Sequence, residues 1–136
     1  MNRCNFNDSY AAGLIDGEGT ITLTKQHSTS KWRYPKISVA STTIELLEFL
    51  KENYGGKILP KKTYKDSHKP SFFWFLSYNN AIDFLSKIQP FLKEPEKLRR
   101  CNLLLSEYKK LTPRNGKYTD KMSLIKADFE TRFFSS

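Results

Sequence analysis

The stretch AAGLIDGEG, residues 11–19, decides the fold of this chain. Gly13 and Gly17 lie four positions apart in it, so a helix places both on one stripe of its surface. Two small residues on one stripe let a second helix approach closely. Because a glycine inside a helix costs about 1 kcal/mol relative to alanine, two of them in one short helix indicate a compensating contact. The stretch therefore predicts a helix that packs against another helix.

The predicted helix covers residues 10–17, with Asn7 or Asp8 as its N-cap. Asp16 and Glu18 lie at its C-terminal end, where the negative pole of the helix dipole disfavours a carboxylate by roughly 0.3–1 kcal/mol. A bound cation would reverse that penalty. Residues two apart point to opposite sides of a helix, so only one of the two acids can face an axis shared with a second helix. A glycine-capped helix with two solvated acids is the alternative interpretation of the same residues.

A polar hairpin is predicted directly after this helix. Residues 20–24 alternate with period two, with threonines on one face and Ile21 and Leu23 on the other, and a second strand is predicted over residues 32–40. One face of this hairpin offers donors, acceptors and positive charge, which contacts to base edges and phosphates require. A solvated outer sheet face is the alternative. The polar face collects Thr22, Thr24, Gln26, Tyr34, Lys36 and Ser38.

The rest of the chain predicts a second hairpin and more helices. Strands are predicted over residues 57–64 and 71–78. Phe73 can face either the core or a nucleic acid, and Trp74 is expected in the core. The helix starts and ends are a capping box at Thr42 and Glu45, glycines at Gly55 and Gly56, a cap at Asn79 or Asn80, Pro95, and a cap at Thr119 or Asp120. The predicted order is α-β-β-α-β-β-α with extra C-terminal helices. This is an α+β fold with helices on one face of an antiparallel sheet, in a single domain over residues 1–136.

The charge of the chain favours a polyanionic partner. Lys and Arg number 23 against 14 Asp and Glu, which gives a net charge of +9 and a pI near 9.6. Nucleic acid is the commonest such partner, because each phosphate that a basic side chain neutralises releases condensed counterions. A cluster of lysines in the second hairpin adds to this expectation, and Arg99 and Arg100 are candidates for further backbone contacts. The expected basic DNA contacts are Arg33, Lys57, Lys61, Lys62 and Lys65.

The cysteines and the apolar segments indicate where in the cell the protein is expected. Cys4 and Cys101 are the only cysteines, so neither a disulfide framework nor a CxxC zinc module is expected. The first residues lack the apolar core of a secretory signal, and the longest apolar run, residues 72–76, is too short to span a bilayer. We therefore expect an intracellular protein. Its richness in Lys, Asn, Phe, Tyr and Ile hints at AT-rich coding, as in an organelle, phage or prokaryotic genome.

Residues 11–19 closely resemble the signature of the LAGLIDADG homing endonucleases. The resemblance extends to the predicted element order and to residues 89–93 and 101–105, which resemble the segment after the family's third helix. The departures are Ala11 for the leading leucine, Gly17 for alanine and Glu18 for aspartate. The matching positions are Ala12, Gly13, Leu14, Ile15, Asp16 and Gly19.

The resemblance implies a sequence-specific double-strand DNA endonuclease that acts in intron homing. Such an enzyme hydrolyses phosphodiester bonds with Mg²⁺ at a long near-palindromic site and leaves 3′ overhangs; Mn²⁺ or Ca²⁺ can occupy the same site. Because the chain carries one motif, the resemblance implies a homodimer bound to double-stranded DNA, with signature helices crossing at the twofold axis. The implied interface residues are Ala12, Gly13, Asp16 and Gly17.

The resemblance also implies an active site at the end of the signature helix. Glu18 would ligate the metal and serve catalysis, with the backbone carbonyl of Gly17 as a further ligand. A lysine from a later segment would lie near the scissile phosphates: Lys97 is the assignment made here, and Lys93 remains open. In the family a polar residue at the end of the second strand often holds water at this site; here Ser41 and Thr42 stand where some relatives have Gln-Lys.

Two other functions fit parts of the sequence. The first is a nucleic-acid-binding protein that does not cleave, such as an intron maturase or a regulator on the same fold. Glu18 argues against it, since an acid beside phosphates weakens binding. The second is a basic structural protein, which would stay monomeric and show no metal-linked activity.

Overall fold

The helices and strands follow the predicted α-β-β-α-β-β-α order. The computed structural model describes residues 3–61, 69–113 and 117–135. Helix α4 continues into a π-helical turn over Leu104–Tyr108. Within the described residues, no helix is long and apolar enough to cross a membrane. The elements are α1 (Arg3–Glu18), β1 (Gly19–Thr24), β2 (Tyr34–Ser41), α2 (Ile44–Tyr54), β3 (Lys57–Lys61), β4 (Ser71–Ser77), α3 (Tyr78–Ile88), α4 (Pro95–Leu103) and α5 (Asp120–Phe134).

The four strands form one antiparallel sheet in the order β1-β2-β4-β3. Ile21 pairs with Ile37, and Val39 pairs with Trp74, so the buried residues of three strands lie side by side. Since side chains alternate along a strand, the residues between them all point to the opposite face. The faces predicted for the first hairpin are therefore confirmed: Ile21 and Leu23 are buried, and the threonines lie on the other side.

The core lies between the sheet and the helices. Ala11, Ala12 and Ile15 of α1 are fully buried in it, together with apolar residues of α2 and α3. The Trp74 indole N–H donates to the Gly55 carbonyl at 2.8 Å, at the turn that ends α2. Gly56 in that turn has φ +93°, and a Cβ there would lie 2.5 Å from the Phe75 carbonyl oxygen. Only glycine therefore fits, as the sequence predicted for the end of this helix.

Helix α1 begins at Arg3, before the caps predicted at Asn7 and Asp8. Both of these side chains bond to helix α2 instead. The Asn7 amide donates to Asn53 Oδ1 at 3.0 Å, and the Tyr54 hydroxyl donates to Asp8 Oδ1 at 2.6 Å. The predicted N-cap is therefore wrong, because partners 46 residues away occupy the polar groups that a cap would use.

Two other helix starts also differ from prediction. The capping box is absent, because Thr43 is the N-cap of α2 and the Ser41 hydroxyl accepts from the Thr43 amide at 2.9 Å. Helix α3 has Ser77 as its N-cap rather than an asparagine. At α5 the prediction is confirmed, since the Thr119 hydroxyl accepts from the Met122 amide.

Helix α5 buries a lysine on its core face. Phe129 and Phe133 of this helix are buried, whereas Ile125 is exposed and Lys126 is only 1% exposed. Its ammonium donates to Thr112 Oγ1 at 2.7 Å and lies 4.1 Å from the Tyr108 ring centroid. Burial lowers the pKa of Lys126 to about 8.

We expect the stability of the protein to rise with pH relative to a Lys126→Met variant. Between about pH 8 and 10.5 this lysine is neutral in the folded chain and protonated in the unfolded chain. The unfolded state then binds more protons, so the wild type gains up to roughly 1 kcal/mol per pH unit over the variant. Denaturant unfolding across this range measures the difference. Lys121→Met removes an exposed lysine of the same helix, and its free energy of unfolding should change with pH as that of the wild type does. If the free energy of unfolding changed with pH in the same way for all three proteins, the prediction would be contradicted.

Candidate active site and nucleic-acid interface

Helix α1 runs into strand β1 without a connecting loop. Glu18 is the last residue of the helix and Gly19 the first of the strand. A Cβ at Gly19 would lie 2.7 Å from the Ile15 Cα, so only glycine permits this close turn. Glu18 is exposed, and within the described part of the chain its carboxylate has no hydrogen-bond or ion-pair partner. The turn therefore leaves one free carboxylate at the end of α1.

Lys97 of helix α4 caps the C-terminal end of α1. Its ammonium donates to the Ile15 carbonyl at 2.9 Å and to the Asp16 carbonyl at 2.8 Å. These carbonyls belong to the last turn of α1, whose carbonyl groups have no hydrogen-bond donor within the helix. The positive charge of Lys97 also interacts favourably with the negative pole of the helix dipole. The Lys93 side chain is exposed and makes no such bond among the described residues. Of the two candidate lysines, the fold brings Lys97 to the end of α1.

Asp16 joins the same two helices from the other side. Its carboxylate accepts from the backbone amides of Lys93 at 2.9 Å and Glu94 at 3.0 Å. Glu94 in turn caps α4, because its side chain accepts from the amides of Glu96 and Lys97. The resemblance placed Asp16 in a dimer interface; within the chain its carboxylate is directed to the start of α4. The sequence carried no signal of this contact, since its partners lie 77 and 78 residues away.

The oxygen atoms at the end of α1 suit a hard divalent cation. The Glu18 carboxylate and the Gly17 carbonyl are the kinds of ligand that Mg²⁺ and Ca²⁺ prefer. Among the described residues, no group of three or more His, Cys, Asp and Glu side chains comes together in one chain. Within the described residues, the end of α1 therefore offers two of the oxygen ligands that such a cation would need.

One stripe of α1 remains largely uncovered from Phe6 to Gly17, although the Tyr10 ring packs edge-on against Phe49 of α2 at 4.9 Å between centroids. It consists of Phe6, Tyr10, Gly13 and Gly17, with Phe6 62% and Tyr10 50% exposed. A Cβ at either glycine would meet nothing within 4 Å. Ala12, which the sequence also placed in an interface, is fully buried in the core of the chain. The free stripe thus has two large side chains at one end and two small residues at the other, a pattern whose aromatic half the sequence analysis missed.

The sheet face opposite the helices is open. We call it the open face, and it carries most of the predicted nucleic-acid contacts. The Tyr34 ring stacks on the Tyr78 ring at 4.4 Å between centroids, at the edge of this face. Gln26 lies beyond it, in the exposed loop after β1, and Lys62 and Lys65 fall outside the described residues. The predicted contacts on the open face are Thr22, Thr24, Tyr34, Lys36, Ser38, Lys57 and Lys61.

The three arginines that the sequence analysis offered as nucleic-acid contacts bind groups of their own chain. Arg33 forms an ion pair with Glu130 of α5 at 3.1 Å, so its charge is partly neutralised. Arg99 donates to the carbonyls of Arg132 and Phe133 at the end of α5. Arg100 donates to the Ile21 carbonyl at 2.9 Å, on the outer edge of the sheet. These guanidinium groups hold helices and strand together, which their positions in the sequence did not indicate.

We expect an Asp16→Ala variant to lose stability. The substitution leaves two backbone amides of the α4 turn without their charged acceptor, which costs roughly 1–3 kcal/mol. Urea unfolding at a fixed protein concentration measures the loss. Asp83→Ala, which removes an exposed carboxylate of α3, should stay within about 0.5 kcal/mol of the wild type. Equal stability of Asp16→Ala and the wild type would show that the contact is dispensable.

Comparison with known proteins identifies the fold. No protein-family model matches the chain, and no curated protein matches it in sequence. Among solved structures, the homing endonuclease I-CvuI in complex with its target is 17% identical, with a TM-score of 0.70 over 96% of this chain and 81% of that one. The archaeal intron-encoded homing endonuclease I-Vdi141I, complexed with DNA, is 17% identical, with a TM-score of 0.61 over 95% of this chain and 82% of that one.

A third structure carries the name of the signature. The LAGLIDADG homing endonuclease I-GzeII, in complex with its DNA target, is 13% identical, with a TM-score of 0.63 over 95% of this chain and 44% of that one. At identities this low, the structural likeness establishes a shared architecture. The α+β arrangement of helices on one face of a four-stranded antiparallel sheet is therefore the fold of the LAGLIDADG homing endonucleases.

Proposed function

We propose that this chain is a sequence-specific double-strand DNA endonuclease of the homing type, which works as a homodimer. The observation that carries the proposal is the free Glu18 carboxylate, which lies where the uncovered stripe of α1 meets the open face. A binding protein gains nothing from an unpaired acid beside phosphates, whereas a hydrolase of phosphodiesters can use it to hold a cation. We further propose that the protein is intracellular and acts in intron homing.

The α1 stripe supports the homodimer. Phe6 and Tyr10 would bury their rings against a second copy, and Gly13 and Gly17 would allow the two backbones to approach closely. A twofold axis makes the same patch face itself, so the contact closes after two copies. Crossing at Gly17 would bring the two Glu18 residues together at the axis. Each would then serve one strand of a duplex.

The open face supports duplex DNA as the substrate. Its basic residues belong to a chain of net charge +9, and its threonine and serine hydroxyls can both donate and accept. Two open faces side by side would follow adjacent major grooves, so a near-palindromic site is proposed. The similar structures of I-CvuI, I-Vdi141I and I-GzeII are complexes with DNA.

The end of α1 would supply the groups for hydrolysis. Glu18 and the Gly17 carbonyl of each copy would hold a divalent cation such as Mg²⁺, which activates water and stabilises charge on the phosphate when bound. The two similar I-CvuI complexes were obtained in the presence of 2 mM Ca and of 2 mM Mg, and in the latter the DNA is not cleaved. Lys97 fixes the last turn of α1 through two carbonyls, so it would hold Glu18 in place and keep a positive charge near the phosphates. We propose that cleavage leaves 3′ overhangs.

We expect a Glu18→Gln variant to bind DNA and fail to cut it. The amide keeps the size of the side chain but loses the charge that holds the cation, so the cleavage rate should fall by at least about a hundredfold. Incubation of a randomised duplex library with Mg²⁺, followed by sequencing of the ends, measures cutting. Gel-shift titration of an enriched duplex measures binding.

The matched control for this experiment is Glu48→Gln, which removes an exposed carboxylate of α2 and should cut like the wild type. Discrete cuts in near-palindromic sites by the wild type support the proposal. Duplex binding without cutting by either protein would replace it with a regulator. Preference for a structured intron RNA over every duplex would replace it with a maturase.

We expect a Gly13→Leu variant to be monomeric. The leucine side chain would fill the space through which a second helix approaches, and overpacked contacts of this kind cost about 1–3 kcal/mol. The monomer should still fold, because leucine favours a helix over glycine by roughly 1 kcal/mol. Sedimentation velocity measures the mass, and Glu48→Leu, on the exposed face of α2, should remain a dimer. A Gly13→Leu dimer that cuts like the wild type would refute this interface.

A further inference from the structure

Part of the open face is apolar. Ala40, Phe73 and Leu59 lie directly opposite one another on β2, β4 and β3, and they form one row across three strands. Phe75 lies next to this row, with its ring centroid 5.7 Å from that of Phe73. Leu59 is 42% exposed. We call Ala40, Leu59, Phe73 and Phe75 the apolar row.

Lysines border the apolar row on the same face. Lys57 and Lys61 lie two residues before and after Leu59 on β3, so all three side chains point the same way. The Lys36 ammonium lies 4.8 Å from the Phe75 ring centroid. Apolar side chains bordered on both sides by positive charge fit a partner that is a polyanion with apolar groups on the surface between its charges. That charge pattern favours a duplex over a second protein.

The major groove of DNA presents one apolar group, the C5-methyl of thymine. The nitrogen and oxygen groups on the base edges there are donors or acceptors, and covering one with leucine or phenylalanine would leave it unpaired and desolvated. We infer that the apolar row packs against thymine methyl groups, so that the part of each half-site read by β3 and β4 consists of A·T pairs. This inference rests on the proposed function. The base pairs of the half-site that are read by hydrogen bonds would then lie against β1 and the start of β2.

Replacement of thymine by uracil tests the inference. Uracil keeps every hydrogen-bonding group of thymine and lacks only the methyl group. A duplex is first selected from a random library by binding to the full chain in EDTA, so that no strand is cut. Each thymine of the selected site is then replaced in turn, and fluorescence anisotropy gives the dissociation constant. We expect each methyl in contact with the apolar row to contribute roughly fourfold in affinity, and the remaining thymines to contribute nothing.

Protein variants assign the effect to the apolar row. Leu59→Ala and Phe73→Ala should weaken binding of the thymine duplex and abolish the uracil penalty at adjacent positions. Leu59 lies on an edge strand and is exposed, so its variant should fold. Leu124→Ala is the matched control, because this leucine is 74% exposed on α5, in the helix layer. It should leave both the affinity and the uracil penalty unchanged.

The outcomes separate this inference from the function on which it rests. Enrichment of no duplex overturns the proposed function itself. A tightly bound duplex without thymine, or without a uracil penalty, overturns only the inference. A uracil penalty that persists in both Leu59→Ala and Phe73→Ala also overturns it, since other residues would then contact the methyl groups. Capture of a protein by the apolar row, with no effect of uracil, would assign it to a protein partner.

Discussion

The carbonyl groups that end helix α1 would lack partners without Lys97, and the arrangement of the site depends on this contact. The ammonium bonds two of them, and Asp16 of the same turn accepts from the start of α4. Each helix therefore stabilises the unpaired groups at the end of the other. This reciprocal contact fixes the last turn from within the chain, and it leaves Glu18 as the acid that is not used for structure.

Each element near the site has one side that the core uses and one that it does not. Helix α1 buries Ala11, Ala12 and Ile15 and leaves its aromatic and glycine stripe uncovered. The sheet buries the face that carries Trp74 and the aliphatic residues, and it leaves the open face to threonines, lysines and the apolar row. Stability and the proposed recognition thus use different residues of the same elements, and alternation along a strand or around a helix keeps them apart.

Local pattern was enough to predict the architecture. Alternation of residues 20–24, the glycines after α2 and Pro95 at the start of α4 are signals within a few residues of the feature that they specify. The signature stretch predicted a helix with small residues on one side, and Gly13 and Gly17 do lie on its uncovered side. Of the site, the sequence could assign Glu18 to the end of α1.

The rest depended on contacts between distant residues, which no local pattern encodes. Asp8 bonds to Tyr54, Asp16 bonds to backbone amides beyond residue 92, and Arg33 pairs with Glu130. Lys126 is the sharpest case, because a lysine at a core position contradicts the apolar period and is stabilised by Thr112 and the Tyr108 ring. In each case a polar side chain took a partner from another element, and this changed its role.

The joint between α1 and β1 has a consequence for geometry. Because Gly19 connects the two elements without a loop, the crossing of two α1 helices and the direction of the two β1 strands cannot change independently. In a dimer, the angle at the axis would therefore set the distance between the two open faces. A dimer of this kind would respond to length as well as sequence, and it would reject a duplex whose halves are correct but separated by one base pair too many.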